Sequence, residues 1–126
     1  MESAELPVAR LTSELFKAIA HPARVRVIEV LLRGERSVGA LAEALGMEIS
    51  HLSQQLGVLR HANIVDSRRE RSSVIYSIRD PRMSQLLAVA RQLLTSTLED
   101  SRDLLITIED LERPTAASRS GAESSR

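Results

Sequence analysis

The stretch Leu45–Ile78, LGMEISHLSQQLGVLRHANIVDSRRERSSVIYSI, decides the fold. Ile49, Leu52, Leu56 and Leu59 recur at three- and four-residue spacing, which predicts an amphipathic helix over about 49–62. Ile64-Val65 and Val74–Ile78 are β-favouring runs on either side of the polar SRRERSS segment, and so short a connection predicts a hairpin. Just upstream, Ser37 is placed to cap a short helix through Leu45, with Leu41, Ala42 and Leu45 inward and Gly46 as its stop. Two short helices across a glycine-containing turn make a helix-turn-helix. A hairpin directly after it is the order of a winged helix-turn-helix, whose second helix enters duplex DNA while the hairpin grips the backbone.

Working outward, Val8, Leu11, Leu15, Phe16 and Ile19 predict a first helix over 8–20 with one apolar stripe. His21-Pro22 interrupts it, and Pro22 suits the first turn of a second helix, where its missing N–H costs nothing. Val25, Val27, Ile28, Leu31 and Leu32 give that helix a broad apolar face, with Gly34 as its C-cap. From Arg82 to Leu111 apolar residues recur at helical spacing, and a helix of that length would run roughly 45 Å, more than a small domain covers. It calls for a partner helix. The expected order is α-α-α-α-β-β-α, mainly helical with one small hairpin. Residues 1–7 are expected to be a flexible N-terminus, 8–111 one winged helix-turn-helix domain with a long C-terminal helix, and 112–126 a small, polar, disordered tail.

The chain has 126 residues, one domain's worth, and Phe16 and Tyr76 are its only aromatic rings. A core of Leu, Ile, Val and Ala favours packed helices over a sandwich or barrel. Absence of cysteine excludes disulfides, thiolate metal sites and cysteine nucleophiles. No apolar run reaches the length of a membrane span and the N-terminus has no signal-peptide pattern, so a cytoplasmic protein without a membrane partner is expected. Net charge is zero, yet its distribution is uneven: residues 49–82 carry +3 and residues 83–112 carry −4. The basic segment is the helix and hairpin.

With Leu52 and Leu56 inward, Ser50, His51, Gln54 and Gly57 turn outward on the reading helix, with Ser53 and Gln55 on its flanks. Glutamine can bond an adenine edge bidentately, and Ser and His reach base edges or phosphates. A solvated face is the ordinary alternative, but no acidic residue lies between Ile49 and Ala62 to repel phosphate. Arg68, Arg69 and Arg71 are expected at the hairpin tip, facing the phosphate backbone or minor groove. His21 is a junction residue, and His61 ends the reading helix. Glu99, Asp100 and Asp103 share one helix and could help hold a cation, although such runs are usually solvated. Nothing matches a catalytic triad, a phosphate-cradling glycine loop or a zinc-hydrolase motif, so the chain is not expected to be an enzyme.

Taken together, LFKAIAHPARVRVIEVLL, LGMEISHLSQQLGVLRHANIV and SRRERSSVIYSI resemble the ArsR/SmtB family of winged-helix transcriptional repressors, over about Leu15 to Leu98. The resemblance implies a homodimer paired through the first and last helices, with Leu11, Leu15, Leu87, Ala90, Leu94 and Leu98 in the interface. It implies release of double-stranded operator DNA when an inducer binds. It matches Ser50, His51, Ser53, Gln54 and Gln55 to reading-helix positions, and Arg68, Arg69 and Arg71 to the wing.

Departures from the family pattern bear on sensing. The Cys-Val-Cys motif of its thiolate sensors is Ser37, Val38 and Gly39 here, and the last helix has no histidine for the family's other metal site. The family's Ser-His-His-Leu is Ser53-Gln54-Gln55-Leu56, Gly57 replaces a common lysine, and Asn63 replaces a usual glycine. Asn tolerates the left-handed conformation a turn there would need. The expectation is a sequence-specific DNA-binding regulator, a homodimeric repressor lacking the cysteine metal site. Two alternatives stay open: a regulator that responds to a divalent metal (zinc, nickel or cobalt) through histidine and carboxylate, and a winged-helix interaction module without DNA binding.

Overall fold

The computed structural model describes residues 7–112. The elements are α1 (Pro7–Ile19), α2 (Pro22–Leu32), β1 (Arg36–Ser37), α3 (Val38–Leu45), α4 (Ile49–His61), β2 (Val65–Glu70), β3 (Ser73–Ile78) and α5 (Met83–Glu112). The chain divides into two units between Leu86 and Leu87. The expectations for residues 1–6 and 113–126 lie outside the described residues, while Pro7 and Glu112, expected in the flexible ends, are helical.

The first unit owes its shape to local signals that agree with one another. His21 is the N-cap of α2, its Nδ1 accepting from the Ala23 amide at 3.1 Å, and Pro22 opens the helix. Ser37 caps α3, its Oγ accepting from the Ala40 amide at 3.1 Å. Both helices of the helix-turn-helix then stop in the same way. At Gly46 (φ 61°) the Met47 amide donates to the Ala42 carbonyl at 3.0 Å, and at Asn63 (φ 63°) the Ile64 amide donates to the Leu59 carbonyl at 2.9 Å. Each closes a Schellman turn around a residue in the left-handed region.

The core is aliphatic. Val27, Ile28 and Leu31 from α2, Leu41 and Leu45 from α3, Leu52, Leu56 and Leu59 from α4, and Val65 at the start of β2 are all buried. Ile49 departs from the expected inward stripe of α4: it is 54% exposed, because it opens the helix before the stripe meets α2 and α3. The C-cap of α2 is Arg33 rather than Gly34, which follows it at φ 149°.

The sheet has three antiparallel strands in the order β1-β3-β2, one more than the hairpin expected. The added strand, β1, is two residues long and pairs Arg36 with Tyr76 and Ser37 with Ile75. The hairpin ladder extends from Val65↔Ile78 to Glu70↔Ser73, so SRRERSS is mostly strand and only Arg71-Ser72 make the turn. At the base, Asp80 heads α5: its carboxylate accepts from the Arg82 amide at 2.9 Å and from the Arg82 guanidinium at 2.6 Å. These bonds hold the Asp80 pKa down at about 2, with the Arg82 side-chain bond as the largest cause.

The second unit, residues 87–112, continues α5, which is 30 residues long in all and therefore about 45 Å. Leu87 is 6% exposed within the single chain, whereas Leu93, Leu94, Leu98, Leu104 and Leu105 are more than half exposed. The helix exposes far more apolar surface than a helix stable by itself in water carries.

Two outcomes check this frame. Leu56, fully buried, should cost about 3 kcal/mol when changed to Ala in urea unfolding, and a loss below about 1 kcal/mol would mean the stripe is not the core. Asp80 has a folded pKa below its ordinary 3.8, so its contribution is present above that value and is lost as pH falls through about 2. Its carboxyl carbon, followed by NMR, should titrate near 2 and return toward 3.8 in Arg82→Ala.

Candidate nucleic-acid interface

The burial of Leu52, Leu56 and Leu59 sets the rotation of α4, since side chains a turn apart share a face. Opposite them Ser50, His51, Ser53, Gln54 and Gly57 are all exposed. Gly57 has open space around the position where a Cβ would be, so the middle of this surface is a low point on the helix. Arg60 and His61 close the helix, both exposed, and no carboxylate interrupts the row. The row is neutral to basic, rich in donors and free of bulky apolar side chains.

Gln55 corrects the expectation that it flanks the reading face. It is 7% exposed, on the stripe between Leu52 and Leu59, and its Oε1 accepts from Arg24 Nη1 at 2.9 Å. Spacing could have revealed this, because 52, 55, 56 and 59 share one face. Arg24 in turn falls in register with Val27, Ile28 and Leu31 on the core face of α2. Two polar residues at core positions on facing helices are a readable sign of a buried polar pair.

The wing arginines separate instead of clustering at the tip. Arg68 lies in β2 opposite Ile75, and its guanidinium donates to both oxygens of Glu35 at 2.8 Å, with Glu70 at 3.6 Å. That fork holds the Glu35 carboxyl below the usual carboxylate range, chiefly through the hydrogen bond, and pushes the Arg68 pKa up. Glu35, which the residue patterns left unremarked, ties the wing to the α2–β1 loop. Alternation along β2 turns Arg69 to the opposite side from Arg68. Arg71 alone occupies the turn, at φ 58°. Near the base, Arg79 donates to Asn63 Oδ1 at 2.7 Å, and Arg82 is engaged by Asp80. Among the described residues, Arg60, Arg69 and Arg71 have no ion-pair or hydrogen-bond partner.

Of the residues expected in a dimer interface, Leu11 and Leu98 are well exposed at 64% and 66%, and Leu94 and Ala90 are exposed as well. Leu15 is half-buried. Leu87 is 6% exposed within a single chain. Among the described residues no three His, Asp or Glu side chains gather into a group able to hold a metal ion. No helix among them is long and apolar enough to cross a membrane.

The geometry has counterparts among known proteins. The family model described as bacterial regulatory protein, arsR family, matches residues 21–67, from the cap of α2 into β2. The chain is 48% identical over 106 residues to an uncharacterized HTH-type transcriptional regulator, Rv0081, of Mycobacterium tuberculosis, covering 83% of this chain and 90% of that one. The crystal structure of Rv0081 superposes with a TM-score of 0.70 at 50% identity, over 75% of this chain and 96% of that one. The homodimeric winged helix-turn-helix DNA-binding domain Mb0332 of Mycobacterium bovis, a possible ArsR-family regulator, gives 0.69 at 28% identity, over 76% and 89%. A biofilm growth-associated repressor of Agrobacterium fabrum is 45% identical over 73 residues, 58% of this chain and 62% of its own length. With the family model resting on the two helices and turn that carry the exposed row, and with a relative matched over most of its length, the chain belongs to the arsR family of bacterial regulatory proteins.

Proposed function

We propose that the protein is a homodimeric transcriptional repressor that binds a two-fold operator in duplex DNA, acting by binding and not by catalysis, inside the cell where that DNA is. The observation that carries this reading is the exposed row on α4, held outward by the buried Leu52, Leu56 and Leu59. In this reading Ser50, His51, Ser53 and Gln54 meet base edges or adjacent phosphates in the major groove. Gln54 is the residue able to bond an adenine bidentately, since Gln55 is engaged by Arg24. Arg71 and Arg69 meet the backbone or minor groove, while Arg68 braces the wing through Glu35.

The dimer follows from α1 and α5. Val8, Leu11 and Phe16 on α1, and Leu94 and Leu98 on α5, are more than half exposed. Association through these helices gives each a cover and sets two reading helices in successive major grooves, and the similar Mb0332 domain is itself homodimeric. The chain has no cysteine, and α5 has no histidine.

A duplex selected by the protein from a random-sequence pool tests the reading. Arg60, Arg69 and Arg71 from two copies supply about six phosphate contacts, so affinity should fall about a thousandfold between about 50 and 200 mM salt. A pool from which nothing is enriched, or binding indifferent to salt, would sink the reading. Arg71 has its own expected outcome, because its φ of 58° suits glycine better than arginine. Arg71→Gly should weaken binding and lower the salt slope by about two for the dimer, with the thermal midpoint unchanged or raised. A fall in both together would assign Arg71 to structure instead.

A further inference from the structure

Arg24 lies between three helices and bonds to two of them. From α2 its Nε donates to the Ala18 carbonyl at 2.6 Å and its Nη2 to the Lys17 carbonyl at a longer 3.4 Å, both in the last turn of α1. Its Nη1 donates to Gln55 on α4 at 2.9 Å. The last carbonyls of a helix have no partner within it. Phe16 and Lys17 are met by the Ala20 amide and Ile19 by the His21 amide, so the Ala18 carbonyl looks to Arg24. Gln55, nine-tenths buried, looks to the same guanidinium.

From this arrangement we infer that the Arg24–Gln55 bond is a positioning device for operator recognition, locking the roll of the reading helix to the end of α1. The inference rests on the function proposed above and deepens it. The leucine stripe sets which side of α4 is out, but aliphatic contacts are non-directional and tolerate a small roll. A roll of about 20° on a helix of 5–6 Å radius moves a side-chain tip about 2 Å, enough to lose a base contact that needs placement to about 0.5 Å. The planar guanidinium fork is directional, and its contacts belong to two different parts of the fold, the end of α1 and the core face of α4. Rolling α4 outward would break the bond at Gln55, and shifting the end of α1 would pull on the same group. Arg24 and Gln55 touch no DNA themselves; they hold Ser53 and Gln54, the neighbours of Gln55, in register. The link also gives α1, a proposed pairing helix, a direct mechanical route to the reading face.

The experiment compares affinity for the selected duplex with affinity for a scrambled duplex of equal composition, in wild type, Gln55→Leu, Arg24→Lys, the double variant and Gln55→Glu. Active fraction comes from stoichiometric titration, and urea unfolding runs in parallel. Gln55→Leu and Arg24→Lys should each lower the selected-to-scrambled ratio about tenfold, the loss expected for one directional bond to a charged group. Affinity for the scrambled duplex should stay within about twofold, since phosphate contacts set it. The double variant should lose no more than either single one, and Gln55→Glu, which keeps an acceptor for Arg24, should keep the ratio within about threefold. An unchanged ratio in Gln55→Leu, a ratio lost additively in the double variant, or equal losses on both duplexes would overturn the inference. Should Gln55→Leu fail to fold, Arg24→Lys and Gln55→Glu decide on the same ratio. If the wild type enriches no duplex, the proposed function itself falls, an outcome distinct from a wild type that discriminates and a Gln55→Leu that does so equally.

Discussion

The rotational setting of α4 is the constraint on which the rest depends. Three leucines, each withdrawn completely from water, hold one side of the helix against α2 and α3. Burying a leucine stabilises the fold by roughly 1.5–3 kcal/mol, so turning this face outward would forfeit most of a small domain's stability. Everything on the opposite side is therefore presented by default. The Schellman turns at Gly46 and Asn63 set where α4 enters and leaves, and Ile64, the residue after the second turn, is itself core. The hairpin then starts from a point already fixed by the helix before it. Reading face and wing are two consequences of one packing decision.

The wing shows why a count of arginines is a poor guide to a phosphate-binding surface. A guanidinium satisfied by a carboxylate fork offers less to a phosphate than a free one, because forming the new contact means breaking the old. Arg68 has such a fork and Arg82 has another, each made within the chain. These are exposed pairs, which contribute little to stability. Their importance is geometric: Arg68 and Glu35 hold β2 to the loop ahead of β1, so that the wing is braced within the chain itself. Among the described arginines from residue 60 to residue 82, those left over, Arg60, Arg69 and Arg71, come from the end of the reading helix, the second side of β2 and the turn. A neutral chain can thus present a basic surface by choosing which arginines to neutralise.

Much of this was legible in the residues, and the misreadings share a cause. Helix identities, the caps at Ser37 and Gly46, and the turn at Asn63 follow from spacing and from side chains that bond their own backbone. Those are local effects, visible in a local window. Gln55 and Arg68 were misplaced because their partners, Arg24 and Glu35, lie more than thirty residues away. Polarity is a weak sign of exposure for Gln55, whose register on the stripe is the stronger signal. β1 escaped because two residues show no periodicity; the strand exists only as an addition to the edge of β3.

Withdrawing Gln55 from the reading face changes what specificity can rest on. A bidentate contact to a base is worth about 1–3 kcal/mol of discrimination, and each copy now brings one amide able to make it. Two copies give about 2–6 kcal/mol, against the 4–10 kcal/mol that usually separates specific from non-specific binding. In the proposed reading the serines and His51 would supply single contacts, since hydroxyl and imidazole groups accept or donate according to the base they meet. The remainder has to come from the spacing of the half-sites and from the ease with which the duplex bends to two wings. Discrimination of that kind depends on the rigidity of the protein more than on the number of its contacts. A reading head with few base-reading side chains therefore needs its helix held to a narrow roll, and this chain places a directional polar bond in the core at the position where a further apolar residue would have packed.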